Sequence, residues 1–452
     1  MTQIPSSTVS SPALAALGAA ADVLVPGDDG YAGSAATLFA DGTPDLVVRP
    51  RDAAGVAAAL RYAAGAGLAV TVRSGGHSMA GLSASPDGML LDTRRLSGVR
   101  VLDRASGRVR VGAGATWGTV ADVLGRHGLG LSSGDTRQVG VGGLTLGGGI
   151  GWLVRRHGLV IDSLAAAQLV TADGRVVGAD AVEHRDLFWA LRGGGGNFGV
   201  AVSFDFTAQP VTAVHFGAIS YQAGDLPRLI AGWRDLMRAA DDKLTTTLSL
   251  MPAAPGRPGG VLLQCCYASP DGGAAAAALR PFRALAPVTS DTVTAVRYPG
   301  VLEDMSPLPP GLRMHLHNVF FRELDDRRVA ALAELFAAGG AVLSLRSLGG
   351  AAGRVSPDAT AFAHRDAEVM AAAAFVLPQA APAALVEQAA SRWAPVASLG
   401  SGAYVGFLGS ADAADVAAAY PAGTYRRLAA VKHRYDPGNV FRRTHNIRPS
   451  QA

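Results

Sequence analysis

The stretch "VRSGGHSMAG", residues 72–81, decides how the rest of the chain is read. Val70 and Val72 alternate with Thr71 and Arg73, so an apolar strand ends at its start. Gly75 and Gly76 follow, and two residues without a Cβ let the backbone turn sharply. A turn of this kind aims several N–H groups in one direction, which suits a phosphate. His77 stands at the edge of that cradle. On these ten residues alone, a histidine in an ordinary turn is the plainer reading.

Composition narrows the choice. With 452 residues, 49% hydrophobic and 17% charged, the chain can bury a large core and divide into two or three domains. Many of its 57 glycines cluster at 73–81, 140–151 and 193–199, a pattern of loops that approach a ligand closely. The net charge of +4 comes from scattered basic residues, which argues against a nucleic-acid partner. The two cysteines, Cys265 and Cys266, are adjacent and point to opposite faces of a strand. That placement excludes a disulfide framework or a zinc site. No secretory signal pattern opens the chain, and no apolar run reaches the length of about 20 residues that spans a bilayer. The expectation is a cytoplasmic protein with no membrane partner.

Outward from the opening stretch, residues 44–76 read strand, helix, strand, with Asp52 placed to cap the helix. "MLLDTRRLSGVRVL" and "RVRVGAGATWGTVADVLGRHG" continue with strands, a turn and a helix. "LVTADGRVV" is a hairpin turning at Asp173–Gly174. After residue 210 the texture changes. "TTTLSLMP", "VLLQCCYA", "DTVTAVRYP", "GLRMHLHNVFF" and "AVLSLRSLGG" are strand-like, between alanine-rich helical stretches at 272–285 and 327–338. That pattern predicts an antiparallel sheet backed by helices. The fold class is α+β. The expected division is a poorly ordered tail over 1–12 and units over 13–210, 211–403 and 404–452.

The glycine motifs exclude the commoner nucleotide folds. Gly194, Gly196 and Gly199 form a GxGxxG, but a helix precedes it and a strand follows, the reverse of a Rossmann unit. "GAGATWG" has the right order, yet Trp117 takes the third glycine's place. No GxxxxGK[ST] occurs. Three glycine clusters beside one histidine fit a large, flat, phosphate-bearing cofactor.

Four motifs in order then resemble the FAD-linked oxidases of the berberine-bridge-enzyme family. That family has the fold typified by vanillyl-alcohol oxidase and p-cresol methylhydroxylase. The motifs are "RSGGHS", "VGVGGLTLGGGIGWLVRRHGL", "DLFWALRGGGGNFGVAVSF" and "RYDPGNVFRRTHNIRP". The resemblance implies a two-part FAD-binding domain over 13–210, a substrate domain over 211–403 and a C-terminal segment, 404–452, that returns to the FAD-binding domain. It implies FAD attached covalently through His77 only, because Thr136 stands where bicovalent members carry a cysteine and a hydroxyl cannot replace a thiolate. In the first motif it implies flavin contacts from Arg73, Ser74, Gly75, Gly76, Ser78 and Gly81. Around the second it implies Gly134, Asp135, Thr136, Val139, Gly140, Gly142, Gly143, Gly147, Gly148, Gly149 and Gly151. From the last two motifs come Gly199, Val200, Val202 and Asn439. Val139 matches a position that gates dioxygen in the family.

"GAYVGFLG" resembles the family's Tyr-x-Asn stretch, with Gly406 in place of the Asn. Tyr404 is the candidate catalytic residue, as a base or as a group that orients the substrate proton. Arg313, His315 and His317 share one strand face, and His364 and Arg365 lie in "TAFAHRDA". These five are candidates for lining the substrate pocket, and any of Arg313, His315, His317 or Arg365 is a candidate cation for Tyr404. No metal site is expected. The leading functional reading is an oxidase of a small aromatic or apolar metabolite (alcohol, phenol or amine) in secondary-metabolite tailoring, with dioxygen reduced to hydrogen peroxide. A flavin dehydrogenase with another acceptor and a drug-binding resistance flavoprotein remain as alternatives.

Overall fold

A computed structural model describes residues 12–222, 224–253, 259–305 and 308–451. The expected tail therefore lies outside the described residues except for Pro12, which begins a helix, Pro12–Ala20. Three principal sheets follow, and the fold is α+β.

The first sheet orders its strands Ala21–Leu24, Leu46–Pro50, Met89–Asp92, Val70–Arg73. The last three run parallel. The crossover is the helix Ala53–Gly65, started by the Asp52 carboxylate, which accepts the Gly55 N–H at 2.8 Å. Val56, Leu60 and Ala63 recur at helical spacing and are buried against the sheet. Val70–Arg73 is the edge strand of this sheet, and the Gly75–Gly76 turn follows from its end. Arg73 is itself buried, donating to Asp92 at 2.8 Å and to the carbonyls of Ser34 and Ala36.

The second sheet is antiparallel, in the order Val99–Asp103, Arg108–Gly112, Val200–Thr207, Leu164–Val170, Val176–Asp180. Its last two strands are the expected hairpin, with Gly174 at φ +80° in the turn. The third sheet has eight antiparallel strands. The "DTVTAVRYP" stretch gives two short strands rather than one, Val288–Asp291 and Thr294–Arg297, both paired with Ala213–Tyr221. Val369–Pro378, "VMAAAAFVLP", is a central strand that the sequence reading passes over.

Side-chain alternation divides the third sheet cleanly. Leu248, Leu263, Cys265, Leu343, Leu345, Ala371, Val319 and Phe321 pack with Trp233, Leu332 and Trp393 of the covering helices. The intervening residues face the other way, where Val214 and Cys266 join the core built by the glycine loops and the second sheet.

Candidate functional site

The first two glycine loops meet backbone to backbone. A Cβ on Gly75 would stand 2.3 Å from the amide nitrogen of Gly140, and a Cβ on Gly140 would stand 2.1 Å from that of Gly75. Ser74 ties the contact, its hydroxyl donating to the Ala113 carbonyl at 2.7 Å and accepting the Gly142 N–H at 3.3 Å. Around this junction opens a cavity of about 560 Å³. One wall is the first loop and the helix Val141–Leu146; Gly195, Gly196, Gly199, Phe441, Arg443, Thr444 and His445 form another. The third sheet contributes Gln264, and Glu303, Asp304, Met305 and residues 404–408 close the remaining side.

Most flavin-contact candidates line this cavity. Ser74, Gly75, Gly76, His77 and Ser78 do so on the first loop. Gly134, Asp135, Thr136 and Val139 do so before the helix, and Gly140, Gly142, Gly143 and Gly147 along it. Gly199 lines it as well. The others serve the frame. Arg73 holds the strand end in place, and a Cβ on Gly81 would meet Ala40. Gly148, Gly149 and Gly151 leave room for Phe362, Val160 and the Ser133 carbonyl. Val200 and Val202 point into the core beside Val170, and the alternation brings Ala201 to the cavity instead. Asn439 sits at φ +49°, in a turn where its amide donates to the Asp436 carbonyl at 3.0 Å.

His77 is half-buried, and its Nδ1 is shut away from solvent with no partner among the described residues. Burial pushes its imidazole below the usual histidine range, so a neutral ring with a free lone pair prevails at neutral pH. The backbone amides of residues 75–78 also have no protein acceptor among the described residues. Bare amides, an orphan imidazole nitrogen and glycines that a Cβ would fill suit a phosphate-bearing ring cofactor tethered at His77.

Tyr404 lines the cavity and is 4% exposed. Asn318 fixes its backbone, accepting the Tyr404 N–H at 2.6 Å and donating to its carbonyl at 3.0 Å. The phenol oxygen accepts the Gly149 N–H at 3.2 Å. Burial pushes the hydroxyl up to about 12, and the Gly149 and Ile150 amides and the Arg346 charge offset only part of this. The phenol is therefore protonated at neutral pH, which favours the orienting role over the base. A Cβ on Gly406 would fall 2.7 Å from the Tyr404 ring, so the ring occupies the space that an asparagine there would need.

None of the five pocket candidates lines the cavity. Arg313, His315 and His317 share a face as expected, but it is the face of Val319 and Phe321, turned to the helices, where His317 stacks on Trp393. His364 stacks on Phe320 and contacts the Ala419 carbonyl, and Arg365 forms a buried ion pair with Asp162 at 2.8 Å. The cation near Tyr404 is Arg346, which the sequence reading did not single out. It pairs with Asp135 and lies over the rings of Trp152 and Phe407, at 5.7 and 5.9 Å. Gln264, Trp152, Glu303 and Phe407 were also missed. The signal for Gln264 was available: it is the one polar residue between apolar neighbours in "VLLQCC". Among the described residues no group of three or more metal-ligating side chains exists, and no helix is long and apolar enough to cross a membrane.

Residues 44–180 match the FAD binding domain family model, and residues 403–448 match the berberine and berberine-like model. The chain is 30% identical to (R)-6-hydroxynicotine oxidase of Paenarthrobacter nicotinovorans, over 95% of this chain and 96% of that one. It is 29% identical to an uncharacterized FAD-linked oxidoreductase of Bacillus subtilis, over 90% and 91% of the two chains. The solved structure of 6-hydroxy-D-nicotine oxidase from Arthrobacter nicotinovorans superposes with a TM-score of 0.84 at 28% identity, covering 95% of this chain and 98% of that one. The loops that meet at Gly75 and Gly140 fall within the matched FAD binding domain, and the chain belongs to the berberine-bridge-enzyme-like family of FAD-linked oxidases.

Proposed function

We propose that this enzyme oxidises a small aromatic or apolar alcohol, phenol or amine and passes the electrons to dioxygen, giving hydrogen peroxide. The carrying observation is the apolar and aromatic part of the cavity lining, built from Ile150, Trp152, Tyr404, Val405, Phe407 and Leu408. Such a wall favours a flat apolar substrate and excludes water from it. The (R)-6-hydroxynicotine oxidase relative, by its name, also acts on a small ring compound.

Bound FAD supplies the two-electron acceptor ring. In this reading residues 13–210 with 404–452 bind it, and residues 211–403 cover the substrate. His77 holds the single covalent bond through its neutral imidazole, and Thr136, facing the same cavity, makes none. The amides of residues 75–78 take the phosphates. Val139 stands in the wall as the residue that controls access of dioxygen. Tyr404 keeps its proton. Because its oxygen already accepts from Gly149, that proton is free to be donated to a substrate, orienting it.

The test is a panel of aromatic alcohols, phenols and amines mixed with the enzyme without oxygen. At least one class should bleach the flavin band near roughly 450 nm, and admitting air should restore it with one peroxide formed per flavin. In Tyr404→Phe the bleaching should slow by about 10²-fold, the scale of a misplaced substrate. A panel that leaves the flavin oxidised, or reoxidation that needs another acceptor, rejects the reading.

A further inference from the structure

The charges around the cavity do not balance. Its lining holds the carboxylates of Asp135, Glu303 and Asp304. Arg346 pairs with Asp135, and the lining arginine, Arg443, pairs with Asp87 outside the cavity. His77 and His445 line it too, and burial pushes both imidazoles below the usual histidine range. Glu303 and Asp304 are left without an ion pair among the described residues. Both residues are exposed as well as lining the cavity, so a ligand can reach their carboxylates.

Glu303 is held in place before any ligand arrives. Its N–H donates to the Asp135 carbonyl at 2.9 Å, and its carbonyl accepts the Arg137 N–H at 3.0 Å. These bonds fasten it to the loop that carries Thr136. Val301 and Leu302, just before it, are buried in the core. The Gln264 side chain hydrogen-bonds to the Glu303 carboxylate. A carboxylate has about four acceptor positions, so a further donor finds room. The Gln138 amide donates to Asp304 at 2.8 Å. Amides hold these groups without neutralising them. Burial, with the Asp135 charge nearby, pushes the Glu303 carboxyl above the usual carboxylate range, and a cation beside it would offset that cost.

We propose that Glu303 is the specificity-determining residue of the site: its carboxylate, with Asp304 beside it, holds the positively charged nitrogen of an aromatic amine, so amines are the class that the cavity selects. This rests on the reading of the cavity as a site for a small aromatic molecule. Trp152, Tyr404 and Phe407 take the ring, and Glu303 takes the charge. An apolar lining lowers the local dielectric and strengthens that attraction. A phenolate or carboxylate ligand would meet like charge and be repelled.

The probes are phenyltrimethylammonium and tert-butylbenzene, which share one shape and differ in charge. The quaternary nitrogen has no lone pair to give up, so binding is read without turnover, by calorimetry on the holoenzyme. At pH 8, far above the ordinary glutamate value of about 4.3, the native protein should bind the cation at least 10-fold more tightly, and benzoate more weakly than either. Glu303→Gln preserves size and the backbone ties, and should reduce the ratio severalfold while leaving tert-butylbenzene binding unchanged. Asp304→Asn should reduce it less. Equal binding of the two probes by the native protein, or a ratio unmoved in Glu303→Gln, overturns the role of Glu303 while the aromatic reading stands. If neither probe binds, both readings fall together.

Discussion

At the scale of single residues, the site is organised around side chains whose polar atoms are left open. His77 is one, with a buried Nδ1 and no partner among the described residues. The expected outcome for the native enzyme is flavin that stays with acid-precipitated protein, and a flavin-bearing peptide that contains His77 and not Thr136. His77→Ala should release the flavin on precipitation while still binding it in the folded state, because the amides of 75–78 and the glycine walls remain. Peptide mapping that found the flavin elsewhere would sink the assignment. That His77 lines the cavity was legible because "RSGGHS" concentrates its chemistry in six consecutive residues. Arg346 was not legible. Its role depends on Asp135, 211 positions away, and on which face of a strand turns inward. The histidines of "RMHLHNVFF" show the same limit from the other side: alternation put them on one face, and only tertiary packing decides that the face belongs to the helices.

At the scale of elements, the Gly75–Gly140 contact joins the parallel sheet to the loop that starts the helix Val141–Leu146. Alanine at either position would drive a Cβ into backbone nitrogen, which cannot swing aside as a side chain can. Gly140→Ala should therefore cost about 1–3 kcal/mol or more, read as a lower melting temperature together with a lower flavin content. Gly178, with nothing within 4 Å of its Cβ position, is the control and should accept alanine without loss. A Gly140→Ala protein that melts like the native one would mean that the two loops can separate freely. Strand recognition from sequence worked where alternation was clear, as in "TTTLSLMP". It failed for "VMAAAAFVLP", because alanine is a good helix former and a small residue gives no alternation signal. The run becomes a strand because Ala371 and Ala373 pack under the helices while Ala372 lies on the opposite face, where small size costs nothing.

At the scale of the whole molecule, burial of neutral histidines makes stability depend on pH. His157 and His317 are each pushed down to about 4, chiefly by desolvation, with the charge of Arg156 acting on the first and His315 on the second. In the unfolded chain both titrate near about 6.5. Between these values the unfolded state binds protons that the folded state refuses, so stability falls as pH drops from about 6.5 to about 4 and these groups add no further loss below. The melting temperature should follow that course. His157→Gln combined with His317→Gln should flatten it. An unchanged slope in the double variant would show that other groups carry the acid sensitivity.

The helix Ala422–Tyr435 is tied to the chain that walls the cavity through one buried ion pair. Lys432 donates to Asp436 at 2.6 Å, to the Asn197 carbonyl at 2.7 Å and to the Phe441 carbonyl at 3.0 Å. Phe441, Arg443, Thr444 and His445 then complete the cavity wall that began at Val70. During synthesis the His77 loop leaves the ribosome more than 300 residues before those wall residues exist. The cavity is therefore closed only after residues 441–445 are made, and a nascent chain carries the His77 loop long before it carries the wall that stands across from it.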